Sequence, residues 1–95
     1  HILGVEKPKV SLTSTSGKVT IHVSTHPVAK HATVKYYVKR HGSWHKLGSN
    51  KTGSAGKAGK TFRQSAGKHT YRAKVSATSI TTAGTTPARS IKVKA

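Results

Sequence analysis

Residues 31–47 have the sequence HATVKYYVKRHGSWHKL, which predicts a β-hairpin. In its first half an apolar row alternates with a more polar row, as expected of a strand with one buried face. The apolar row is Val34, Tyr36 and Val38. The outward row is Lys35, Tyr37 and Lys39. Residues 40–43 then turn the chain, and residues 44–47 return as a second, short strand. The hairpin therefore predicts a sheet with a core side and a cationic side.

The same alternation occurs on both sides of the hairpin and predicts further strands. Lys18–Ser24 is the clearest, because Val19, Ile21 and Val23 alternate with polar residues. Further alternating segments occur at residues 9–12, 60–64, 68–77 and 90–94. About seven short strands with no helical period are typical of an antiparallel β-sandwich. We therefore expect an all-β chain with one domain over residues 9–95, after a lead-in of residues 1–8.

One segment lacks this pattern. Residues 48–59 have the sequence GSNKTGSAGKAG, which is poor in apolar residues and rich in glycine, serine and lysine. Such a composition offers little to a packed core, and glycine favours turns and loops. We therefore expect a flexible loop over residues 48–59.

The charge of the chain is almost entirely of one sign. There are 18 lysine and arginine residues against one acidic residue, Glu6, which gives a formal net charge of +17. Self-repulsion on this scale opposes compaction, so it indicates a role among polyanions. Candidate partners are nucleic acid, sulfated or uronic glycans, teichoic-type polymers and anionic membrane surfaces. The alternative is a solvated cationic exterior without a partner.

Four short motifs resemble a known class of domain: VKYYV at 34–38, GSW at 42–44, AGKHTYRAKV at 66–75 and SIKV at 90–93. Together they resemble the immunoglobulin-like or fibronectin-III-like modules of secreted and surface proteins of Gram-positive bacteria, particularly actinobacteria. The resemblance implies an Ig-like or FnIII-like sandwich of about seven strands, located outside the cell or on its surface. His69 stands where such modules often carry a tyrosine, and the cysteine pair of antibody domains is absent.

Enzymatic activity is not expected from these residues. Glycoside hydrolysis needs two carboxylates, and the chain has one acidic side chain. A Ser-His-Asp triad has no aspartate, and no cysteine is present to act as a nucleophile. We expect neither catalysis nor a cofactor.

Histidine is the one residue type that suggests a metal. Five histidines lie in or near the second strand and the hairpin: His22, His26, His31, His41 and His45. Imidazole binds zinc and copper, but a strongly cationic surface repels a divalent ion, and no His-x-His spacing is present. We therefore expect no metal site, and interpret these histidines as residues of strand faces and loops.

The candidate binding residues follow from the implied topology, in which the third, sixth and seventh strands share a sheet. Their outward cations would then be neighbours, with Tyr37 among them and Trp44 and His45 at the end of the hairpin. The predicted ligand-binding residues are Lys35, Tyr37, Lys39, Arg40, Trp44, His45, Lys68, Arg72, Lys74, Lys92 and Lys94. Tyr37 and Trp44 could stack on a sugar or a base, although we favour Trp44 as a core-edge residue over this role.

Lysines outnumber arginines in this chain. Lysine acts as a point charge, whereas arginine recognises phosphates and bases bidentately, so we expect charge-dominated binding that salt weakens. The leading hypothesis is a secreted or cell-surface, monomeric, non-catalytic module that binds an anionic polysaccharide or another polyanion. The alternatives are a structural or adhesin spacer module and a cationic nucleic-acid-binding or antimicrobial protein. No apolar run is long enough to span a membrane.

Overall fold

The computed structural model of the chain describes residues 5–26, 28–78 and 81–94. These residues form eight β-strands and no helix. The strands are β1 Lys9–Thr15, β2 Lys18–Ser24, β3 Thr33–Arg40, β4 Ser43–Lys51, β5 Lys57–Arg63, β6 Gly67–Val75, β7 Gly84–Thr85 and β8 Arg89–Val93. The all-β prediction is confirmed, and the additional strand is the two-residue β7.

The strands are arranged in two antiparallel sheets. The smaller sheet has the order β1-β2-β5, and the larger has the order β4-β3-β6, with both β7 and β8 paired to β6. Directly opposed residues lie on the same face of an antiparallel pair. The predicted inward row of β3 is indeed buried between the sheets, because Val34 and Tyr36 oppose the buried Val75 and Ala73 of β6.

Two tyrosines dominate the core. Tyr36 and Tyr71 are the largest fully buried side chains in the described residues. The hydroxyl of Tyr36 donates a hydrogen bond of 2.8 Å to Asn50 Oδ1, and its ring meets Phe62 edge-on at 5.7 Å between centroids. Burial raises the pKa of Tyr36 and raises that of Tyr71 to about 12, an effect that the charge of Arg40 partly opposes.

The predicted flexible loop over residues 48–59 is wrong for most of its length. Strand β4 continues to Lys51 and β5 begins at Lys57, which leaves residues 52–56 as the connection. Polar side chains stabilise this arrangement in place of apolar ones. Asn50 accepts from Tyr36 and donates to the Gly59 carbonyl at 2.9 Å, while the buried Thr52 hydroxyl accepts from the Ala32 amide at 2.9 Å. Hydrogen bonds, which composition does not reveal, therefore order the segment.

The predicted lead-in lies partly outside the described residues, which begin at residue 5. Its Glu6 is buried, at 5 % exposure, and Glu6 Oε1 accepts a hydrogen bond of 2.8 Å from the His26 amide. The Lys7 amide in turn donates to the His26 carbonyl at 2.8 Å. Because Glu6 is the only acidic residue in the sequence, the exposed side chains carry no carboxylate to offset the lysines.

Candidate functional site

The outward side of the larger sheet is strongly cationic, and we call it the basic face. Lys35 opposes Lys74 of β6, Tyr37 opposes Arg72, and Lys39 opposes Trp44 of β4. At the β8 edge Lys68 opposes Lys92. The basic face comprises Lys35, Tyr37, Lys39, Trp44, Lys46, Lys51, Lys68, Arg72, Lys74 and Lys92. Neighbouring strands, about 4.8 Å apart, and same-face residues, about 6.8 Å apart, form a lattice of cations.

Most of the predicted ligand-binding residues are brought together on this face. Three others are not. Arg40 opposes Ser43, and His45 opposes the buried Val38, so register assigns both to the inner side of the sheet, at its hairpin end. The alternation itself explains this, because residue 40 continues the row of Val38 and residue 45 follows Trp44 by one. Lys94 is exposed beyond the end of β8, where its carbonyl accepts from the Gly17 amide at 2.8 Å.

The expectation that Trp44 closes the core edge is wrong. Trp44 opposes Lys39, which lies on the face of the sheet that points away from the core. Trp44 is also not among the residues that pack against the core cluster. Its ring instead contacts Arg72, whose guanidinium carbon lies 4.2 Å from the ring centroid. Since β3 separates β4 from β6, these two side chains meet across the middle strand. Trp44 is thus part of the basic face and is half-buried there.

A second cation lies over an aromatic ring beside the first. Lys74 Nζ is 5.4 Å from the Tyr37 centroid, and Tyr37 opposes Arg72. Cation–π contacts at exposed sites contribute about 0.5–1 kcal/mol each, enough to favour one position for a mobile side chain. The Nε atom of Arg72 is buried and has no hydrogen-bond partner in the described residues. The centre of the basic face is therefore an alternating cluster of two rings and two cations.

Two residues of the basic face are absent from the predicted set. Lys46 opposes Tyr37, and Lys51 opposes Thr33. Lys46 has a clear sequence signal, because it follows Trp44 by two residues in the predicted return strand. Lys51 has none, since the register between β3 and β4 shifts after Tyr36, and Leu47 and Gly48 both fall on the inner side. A bulge of this kind reverses the alternation beyond it.

The described residues contain no group of three or more His, Cys, Asp or Glu side chains that could hold a metal ion. No helix in the same ranges is long and apolar enough to cross a membrane.

Comparison of the chain with protein-family models, with curated proteins and with solved structures finds no match.

Proposed function

We propose that this chain is a non-catalytic binding module that attaches to anionic polymers through the basic face. One observation carries the proposal: three neighbouring strands present their cations on one side of a sheet, while the only side-chain carboxylate of the sequence, that of Glu6, is buried elsewhere. A solvated protein surface ordinarily mixes both signs of charge. A face of one sign attracts a polyanion and gains from the counterions that binding releases.

The cations act in two ways. The lysines along β3 and β6 supply point charges that follow a string of phosphates, sulfates or carboxylates without reading its sequence. The Arg72–Trp44 and Lys74–Tyr37 contacts hold two cations against rings, so less side-chain entropy is lost when a polymer binds. The rings also offer a surface on which a sugar can pack.

The fold supports the proposal that the chain is an Ig-like or FnIII-like module. Its third, sixth and last strands share one sheet with β4 and β7, and the resemblance implies a shared sheet for those three strands. Modules of this kind belong to secreted and surface proteins, so we propose a location outside the cell, where anionic cell-wall polymers and glycans occur.

A titration followed by amide NMR shifts tests the proposal. The probes are heparin, a short DNA duplex and neutral dextran, each at the same ionic strength. We expect shifts along β3, β4 and β6 with the two polyanions and none with dextran. Equal shifts with dextran, or shifts with heparin that avoid the basic face, would refute the proposal. A response to DNA alone would favour the nucleic-acid-binding alternative.

A further inference from the structure

A groove of about 470 Å³ lies among strands of the smaller sheet and the start of β8. Four basic side chains line it, each from a different strand: Lys9 of β1, His22 of β2, Lys57 of β5 and Arg89 of β8. None of these residues belongs to the basic face. No carboxylate lines the groove, since the only acidic residue of the sequence is Glu6.

The register of the smaller sheet explains why these groups converge. Lys9 opposes Ser24, which in turn opposes Lys57, so two ammonium groups and a hydroxyl share one face in a single row. In the next row of that face, His22 opposes Gly59. A Cβ at Gly59 would lie 3.4 Å from His22 Nδ1, so its absence leaves space beside the imidazole.

The rest of the lining adds a hydroxyl and backbone to these cations. The second hydroxyl is that of Ser11, which opposes His22. Val10, Val23 and Ala58 oppose one another between the two polar rows and direct their side chains to the core side of the sheet, so they contribute backbone to the groove. Its volume lies within the range of roughly 300–1,000 Å³ that is usual for small-molecule sites.

We propose that this groove binds a sugar-sized ligand carrying a sulfate or phosphate ester. The cationic groups match the charge of the ester, and the two serine hydroxyls can donate to its oxygens. This site is separate from the basic face, and the inference does not rest on the function proposed for that face.

The test uses glucose 6-sulfate, glucose 6-phosphate and glucose as probes in amide NMR titrations. With either ester we expect shifts at residues 9–11, 22–24 and 57–58. The double variant Lys9→Gln/Lys57→Gln should bind about fivefold more weakly, which corresponds to about 1 kcal/mol for the two exposed charges together. The preferred ester identifies the class of ligand.

The matched control is Lys18→Gln/Arg63→Gln. These two exposed residues oppose each other on the same face of the same sheet but do not line the groove. The control removes the same charge, and we expect less than a twofold change. Equal weakening in both double variants, equal shifts with glucose, or ester shifts confined to the basic face would each overturn the proposal. Heparin binding through β3 and β6 could still hold in those cases, so the two proposals fail separately.

Discussion

Replacing Lys35 and Lys74 by glutamine should reduce the salt dependence of polyanion binding by a calculable amount. These lysines oppose each other at the centre of the basic face, and Lys74 also lies over Tyr37. Each cation that contacts a phosphate of duplex DNA contributes about 0.9 to the slope of log affinity against log salt. The double variant should therefore lose about 1.8 of that slope.

This change is large enough to measure. Raising the salt from 50 to 200 mM should weaken DNA binding by the unmodified chain about twelvefold more than it weakens binding by the double variant, because the two slopes differ by about 1.8. Fluorescence anisotropy with a labelled duplex, repeated at four salt concentrations, gives the slope directly. The same series with labelled heparin tests whether the dependence is general to polyanions.

The control is again Lys18→Gln/Arg63→Gln, which removes two charges from the opposite sheet. Its slope should remain within about 0.5 of the unmodified chain, because neither residue contacts a polymer bound to the basic face. If the two double variants lowered the slope equally, net charge alone would govern binding. The assignment to the basic face would then be refuted.

Three further predictions concern stability. Trp44→Ala should cost about 1–3 kcal/mol in urea unfolding, from the lost cation–π contact with Arg72 and the lost burial of the half-buried ring, and a loss above about 4 kcal/mol would indicate that Trp44 is a core residue. Tyr71, with its pKa raised to about 12 against about 10 when unfolded, favours folding while protonated, so this contribution is complete below pH 10 and declines as the pH rises towards 12. Over that range the unmodified chain should lose up to about 2 kcal/mol relative to Tyr71→Phe, and parallel pH profiles would contradict this. Gly84→Ala should lower stability by about 1–3 kcal/mol in thermal unfolding, since its Cβ would lie 2.7 Å from the Glu6 carbonyl oxygen, whereas Gly53→Ala, with its nearest neighbour at 4.0 Å, serves as the control.

The basic face illustrates how far alternation can predict a site. The row of Lys35, Tyr37 and Lys39 follows from residues that are two apart in one strand, and the structure has them on one face. The same rule, applied strictly, excludes Arg40 and His45 from the basic face and includes Lys46. All three placements follow from side-chain direction within a single strand.

Other features could not be predicted in this way. The bulge after Tyr36 brings Lys51 to the basic face, and the hydrogen bonds of Asn50 and Thr52 order a segment that its composition assigns to a loop. Burial of Glu6 depends on the backbone of His26, which lies in another part of the chain. Each of these features depends on groups that the sequence does not place side by side.

The sequence alone determined the all-β class, the sign of the surface charge and the face of each residue in the regular part of a strand. All three are properties of composition or of local backbone geometry, which repeats every two residues. Only the tertiary structure decided that Trp44 and Arg72 meet across β3, and that Lys9, Lys57 and Arg89 line one groove. Those contacts join strands that are distant in the chain, and they depend on sheet order and register, which long-range packing sets.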